Sequence, residues 1–212
     1  MNTSERFWNR LSKNYDKQAR DKAYKLIVDK SKKYLKTKDT ILDFACATGL
    51  YSFEFANNVK EIQAFDTSSQ MIKVAKSKAM TIQMDNISFF QTTLFDEKYR
   101  EAAFDTILAL NILLYFKDVG KVLNRMNKLL KPSGLIITST ACLKEKRTFI
   151  GVLSSSLIFI LSKMRILPYI TFFKMDELEE TLTAGGFKII DTHILIDNPA
   201  TEYYVVAQKV NK

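Results

Sequence analysis

The sequence predicts an α/β fold: a doubly wound, mainly parallel seven-stranded sheet with helices on both faces. Two observations carry the prediction. Short apolar runs of five to ten residues alternate with segments whose apolar residues recur every three or four positions, the signatures of strand and helix in turn. The first of those runs stops on the small residues Ala45-Cys46-Ala47-Thr48-Gly49, as a buried parallel strand does when it feeds a turn. At 212 residues and 47% hydrophobic, the chain has enough apolar side chain for one compact domain.

The elements follow in order. Phe7, Trp8, Leu11 and Tyr15, then Ala23, Tyr24, Leu26, Ile27, Val28 and Tyr34, fall at helical spacings among lysines, which predicts an N-terminal cap of amphipathic helices. Thr40 to Phe44 reads as the first strand and Leu50 to Asn57 as a helix. Glu61 to Phe65 (strand), Ser68 to Met80 (helix), Ile87 to Gln91 (strand) and Phe104 to Leu110 (strand) continue the alternation. A helix over Val119 to Leu130 meets the stop signal Lys131-Pro132-Ser133-Gly134 before a strand over Leu135 to Thr140. Helix Asp176 to Ala184, the stop Gly185-Gly186, and strands Phe187 to Ile196 and Tyr203 to Gln208 close the fold.

Between these lies a stretch that fits no sheet element. Residues Thr148 to Ser162 carry no charge, and are flanked by Lys144, Lys146 and Arg147 and by Lys163 and Arg165. Fifteen residues fall short of the roughly twenty a helix needs to span a bilayer. A buried or lid-forming helical insertion after strand five is expected, with membrane-surface contact through 148–167 as the alternative.

The formal charge is +9, and twelve Lys/Arg against five Asp/Glu before residue 41 put +7 of it at the start. Such a segment can attract nucleic acid, an anionic membrane or an acidic substrate; a solvated helix face is the expected reading. Met1 to Arg10 is mixed and charged, without the apolar stretch of a secretory signal, so a cytoplasmic protein is expected. Cys46 and Cys142 stand far apart in no ligand spacing, so reduced thiols and no metal site are expected.

In an open α/β sheet, ligands gather beyond the carboxyl ends of the strands, next to the first strand. The small residues 45–49 let backbone approach a ligand closely, and Asp43 at the strand end can meet an ammonium or orient the loop. A dinucleotide fingerprint would need glycines where Ala45, Ala47 and Leu50 stand, which disfavours a nicotinamide or flavin. Asp66, 23 residues after Asp43, ends the second strand, where a carboxylate can accept both hydroxyls of a ribose. Alone, Asp66-Thr67-Ser68 reads as a helix cap; paired with the Asp43 turn it points to a nucleoside-containing ligand.

These residues resemble the core of the class I S-adenosylmethionine-dependent methyltransferases. Ile41 to Gly49 resembles the family's first motif, Phe65-Asp66 its second, Phe104-Asp105-Thr106-Ile107 its fourth strand, and Leu129 to Gly134 its turn before strand five. Phe7 to Asp16 is similar to the leading helix of the small-molecule branch, which closes over the cofactor, and Lys174 to Phe187 to that branch's late helix. The resemblance implies S-adenosyl-L-methionine as cofactor. It sets Asp43, Ala45 and Gly49 around the methionine end, Asp66 at the ribose and Thr93 with Leu94 beside the adenine, with Cys46, Ala47, Thr67 and Met71 completing the cofactor-binding set. Asn111 and Ile112 would face the methyl group, and Tyr15 would cover the sulfonium. Residues 1–38 are then a helical cap, 39–141 the cofactor-binding core, 142–175 the insertion or lid, and 176–212 the closing helix and strands.

Three departures stand out. Ala45 and Ala47 replace two glycines, at a cost on the order of 1 kcal/mol if position 47 needs a left-handed backbone. Thr93 stands where an aspartate is common, leaving the adenine amino group to carbonyls or Asp96. Ser133 replaces a glycine in the turn before strand five. His193, the one histidine, falls on a late strand and reads as structural, so no general base is assigned. Asn111-Ile112-Leu113-Leu114 lacks the Asn/Asp-Pro-Pro-aromatic pattern of enzymes acting on nucleic-acid bases, which makes nucleic acid a disfavoured partner. The expected acceptor is small or lipid-like, against an apolar wall from 149–167, Tyr169, Phe172 and Phe173. The alternatives are a non-catalytic cofactor-binding module and an RNA methyltransferase guided by the basic start.

Overall fold

The structure, a computed structural model, describes residues 3–145, 160–164, 167–198 and 200–211. Its strands are β1 (Thr40–Phe44), β2 (Glu61–Asp66), β3 (Ile87–Gln91), β4 (Phe104–Leu110), β5 (Leu130–Cys142), β6 (Phe187–Ile196) and β7 (Thr201–Lys209). They form one sheet in the order β3-β2-β1-β4-β5-β7-β6. Strand order reverses between β1 and β4, and β7 alone runs against its neighbours.

The helices are α1 (Thr3–Leu11), α2 (Tyr15–Ala19), α3 (Lys22–Ser31), α4 (Leu50–Phe55), α5 (Ser69–Ile82), α6 (Val119–Leu129) and α7 (Met175–Ala184). Side-chain caps set their starts where the sequence offers them. Asp21 accepts from the Tyr24 N–H, Ser68 from Met71 and Asp118 from Lys121. The core divides across the sheet. Ile27 and Val28 of α3, Phe55 of α4 and Ile72 and Ala75 of α5 pack on one face. Val122, Leu123 and Met126 of α6 and Leu178 and Leu182 of α7 pack on the other. Each fully buried Leu or Ile contributes about 1.5–3 kcal/mol relative to exposure. No residue of α1 is fully buried; the helix rests half-buried on the domain, with Asn9 bonded to the start of α5 and the Trp8 ring against Tyr115.

Two boundaries differ from the sequence reading. The helix after the first turn is short, ending at Phe55 and tightening into a 3-10 turn over Ala56–Asn58. Pro132-Ser133-Gly134 does stop α6, but the chain passes through it already in the sheet: Phe104 pairs with Leu130 and Thr106 with Leu135, so the turn is a bulge inside β5. Ser133 takes φ 60° there, the left-handed conformation a glycine would supply, and Asn211 accepts from its N–H at 3.0 Å. Of the insertion expected over 142–175, residues 146–159, 165 and 166 lie outside the described residues. Among the described residues no helix is long and apolar enough to cross a membrane.

Candidate active site

The turn after β1 is built from alternating left-handed residues. Ala45 has φ 57°, Ala47 φ 50° and Gly49 φ 76°. The Cys46 N–H donates to the Phe65 carbonyl at 2.9 Å, extending the β1–β2 ladder one step, and the Gly49 N–H closes on the Cys46 carbonyl at 2.8 Å. A Cβ on Gly49 would lie 2.6 Å from the Phe89 ring, so only glycine fits. Ala47 carries the strain that the sequence placed there conditionally, and Ala45 carries it as well.

Asp66 fastens this turn to β2. One carboxylate oxygen accepts the Ala47 N–H at 3.0 Å and the other accepts the Ser68 N–H at 2.8 Å. Burial pushes its carboxyl above the usual range, against the pull of these N–H groups. Asp43 is completely enclosed; Ser52 donates to it at 2.5 Å, and burial raises it to about 7. Cys46 is buried beside both carboxylates, and desolvation with their charge holds its thiol well above its ordinary value.

Above the turn lies a cavity of about 370 Å³, within the size range of small-molecule sites. Ten of the thirteen residues singled out in the sequence line it: Tyr15, Ala45, Ala47, Asp66, Thr67, Met71, Thr93, Leu94, Asn111 and Ile112. Asp43, Cys46 and Gly49 stand behind the wall, supporting the turn rather than facing the cavity. The Asp66 carboxylate thus borders the cavity while backbone N–H groups hold it in place.

The roof comes from the N-terminal cap: Ser4, Trp8 and Tyr15. Two polar locks hold it down. Asn9 accepts from the Ser68 hydroxyl at 2.6 Å and from the Gln70 N–H at 3.2 Å, at the start of α5. Asp16 accepts from the Thr48 hydroxyl and pairs with Lys78 at 2.7 Å. Burial and the nearby Asp66 charge keep the Tyr15 phenol protonated far above neutrality.

One side is the loop after β3, with Thr93, Leu94 and Phe95. Arg125 of α6 pins it, donating to the carbonyls of Leu94, Asp96 and Tyr99. Asp96 does not line the cavity, which corrects its suggested role: its carboxylate is turned into its own loop, accepting from the Thr92 hydroxyl and the Lys98 N–H. The other side is the end of β4. Asn111 sits at φ 55°, its N–H donating to the Ser139 carbonyl at 2.8 Å. Ile112, Tyr115 and Phe116 follow as an apolar wall, with the Trp8 ring edge-on to Tyr115 at 5.4 Å. His193 lies outside, on β6, 3.1 Å from Asp191. Sequence reasoning passed over Ser4, Phe95 and Phe116 as wall residues; only the folded path of the chain brings them here.

The strand order, the turn after β1 and the acid ending β2 together define the class I methyltransferase fold with its ligand cavity at the switch point. Residues 35–190 match a family model described as a methyltransferase domain. The chain belongs to this family, as a class I S-adenosylmethionine-dependent methyltransferase. It is similar to the ubiquinone biosynthesis O-methyltransferase of Nitrobacter winogradskyi, 29% identical over 164 residues, covering 75% of this chain and 60% of the relative. The corresponding protein of Rickettsia akari is 23% identical over 175 residues, covering 82% and 69%. The chain thus spans about three-fifths to two-thirds of these relatives. Among solved structures, the 1,6-didemethyltoxoflavin N1-methyltransferase of Burkholderia thailandensis, bound to its substrate and S-adenosylhomocysteine, superposes with a TM-score of 0.70. It is 17% identical, and the match covers 94% of this chain and 83% of that one.

Proposed function

We propose that the chain transfers the methyl group of S-adenosylmethionine to a hydroxyl of a small or lipid-like acceptor. S-adenosylmethionine supplies a methyl group on a positively charged sulfur, with a neutral thioether as the leaving group. Asp66 accepts the ribose hydroxyls. The 45–49 turn, held from beneath by Asp43 and Gly49, presents backbone to the methionine end. Met71, Thr93 and Leu94 enclose the adenine, and Tyr15 and the β4 end at Asn111 and Ile112 border the reacting carbon. Transfer is an in-line displacement, so the residues contribute chiefly by holding the acceptor oxygen and the methyl group in line and by excluding water.

The observation that carries the acceptor class is the apolar wall of Trp8, Ile112, Tyr115 and Phe116 next to the β4 end. It suits a ring or an alkyl chain, and the names of the two relatives point to a hydroxyl as the attacked group. Lys13, Lys17, Lys22 and Lys25 of the cap are exposed, a feature that favours an RNA acceptor instead. The test is methyl transfer from radiolabelled S-adenosylmethionine to catechols bearing alkyl tails of increasing length, beside transfer to RNA. Label in the catechol ether, rising with tail length, supports the reading. Label in RNA alone, or S-adenosylhomocysteine binding without transfer to any acceptor, overturns it.

A further inference from the structure

A second cavity, of about 360 Å³, lies beside the first and has no part in the roles above. The two meet at the roof and beyond the β4 end. Ser4 of α1 lines both, and Phe116 lines the first while the next residue, Lys117, lines the second. Another wall of the second cavity comes from 162–163 and 167–170. That stretch is fastened to itself, the Ser162 hydroxyl donating to the Pro168 carbonyl at 2.8 Å. It is also fastened to the wall of the first cavity. Thr171, one residue on, donates its N–H to the Leu114 carbonyl at 2.6 Å and its hydroxyl to the Phe116 carbonyl at 2.8 Å.

The two cavities differ in charge. Asp66 borders the first, whereas the second has Lys117 and Lys163 in its wall and no carboxylate among its lining residues. Leu167, Pro168 and Ile170 give it apolar surface, and Ser4 a hydroxyl. The Lys117 ammonium lies 5.3 Å from the centre of the Tyr169 ring and pairs with no carboxylate among the described residues. A ring face holds an ammonium in place without neutralising it. Lys117 therefore keeps its charge at the wall of a pocket that also offers apolar surface, the composition of a site where a few polar groups fix one end of a ligand.

We propose that the second cavity is the distal subsite for the acceptor and takes an anionic group, a carboxylate or a phosphate, held by Lys117 together with Lys163. The inference rests on the reading that the acceptor is a small molecule methylated on a hydroxyl, and it narrows that acceptor to an acidic one. Its ring or chain lies along the wall of Trp8, Ile112 and Phe116, and its acid lies past Ser4. A lysine ammonium meets such a group as a point charge with three rotatable donors, so it accommodates either kind of oxyanion. Binding energy gained at the remote acid then holds the hydroxyl in line with the methyl group.

The experiment measures kcat/KM for three catechols, dihydrocaffeate, its phosphonate analogue and its uncharged amide, in wild type, Lys117→Met, Lys117→Arg and Lys188→Met. S-adenosylhomocysteine affinity checks that each variant is folded. Wild type favours one or both acids over the amide by about tenfold or more, as two charge-assisted contacts would. Lys117→Met cuts that ratio by about threefold or more, and Lys117→Arg keeps most of it. Lys188→Met, which removes the same charge from the edge strand β6, leaves the ratio as it was. The better of carboxylate and phosphonate identifies the group. Equal kcat/KM for acids and amide in wild type overturns the inference and leaves the hydroxyl reading standing. So does a ratio that Lys117→Met does not change, or that Lys188→Met lowers as much, which assigns the preference to overall charge. A wild type that binds S-adenosylhomocysteine but methylates none of the three overturns the hydroxyl reading, and this inference with it.

Discussion

The carboxylate of Asp66 accepts the N–H of Ala47 at 3.0 Å, so the residue that ends β2 also locks the left-handed turn that follows β1. Turn geometry and, on the proposed reading, cofactor recognition therefore depend on one side chain. Asp66→Ala is expected to weaken S-adenosylhomocysteine binding at least tenfold, about 1.4 kcal/mol, and to lower the melting temperature as well. Calorimetric titration and thermal unfolding of the same preparation check both. Unchanged affinity would remove Asp66 from the ribose role.

Ala45 and Ala47 hold positive φ where a Cβ is unwelcome. Ala47→Gly relieves roughly 1–2 kcal/mol of backbone strain and costs roughly 0.4–1 kcal/mol through a freer unfolded chain. The expected net is a gain of up to about 1 kcal/mol in urea unfolding, with cofactor affinity kept or improved. A loss of stability would show that the Ala47 methyl contributes packing that outweighs the strain.

Gly49→Ala has the opposite sign. Both the φ of 76° and the 2.6 Å approach to Phe89 oppose a Cβ. Destabilisation by about 2 kcal/mol or more is expected in the same assay. Phe89→Leu in the Gly49→Ala background should recover the steric part and leave the backbone part.

Trp8 is the one tryptophan of the chain and sits in the roof against Tyr115. Its fluorescence should change on titration with S-adenosylhomocysteine. Asn9→Ala, which removes the acceptor from Ser68 and Gln70, should raise the dissociation constant severalfold while barely moving the melting temperature, since α1 buries no residue. A large fall in melting temperature would mean that the cap belongs to the folding core.

Asp43 and Glu202, each raised to about 7 by burial, make stability depend on pH in the direction opposite to a salt-bridged acid. Between the usual carboxylate range near 4 and about 7, the folded state holds protons that the unfolded state has released, so these groups lose stabilising effect as pH rises. Asp43→Asn and Glu202→Gln cannot titrate there. Their melting temperatures relative to wild type should therefore climb by several degrees from pH 4 to 7.5. Acids held low, such as Asp105 and Asp191, cancel in that difference. A flat difference would mean that both carboxylates are ionised in the folded protein throughout.

By itself the sequence determined the alternation of strands and helices, the turn at 45–49 and the acid at 66. These are local signals: apolar period, small residues after a strand, and a fixed spacing between two strand ends. Tertiary structure decided which of the marked residues line the cavity. Asp43 and Asp66 end adjacent parallel strands and look alike in sequence. Their surroundings differ: Asp43 is enclosed and satisfied by Ser52, whereas Asp66 lines the cavity while gripping the turn. Asp96 was lost to the site by bonds within its own loop, a matter of a few side-chain torsions that no pattern encodes. Glu202 was illegible for a different reason. Its surroundings come from the reversal of β7, which carries a residue near the end of the chain to Ser139 of β5. Desolvation of a carboxylate is a property of the packed neighbourhood, and only the folded chain assembles that neighbourhood.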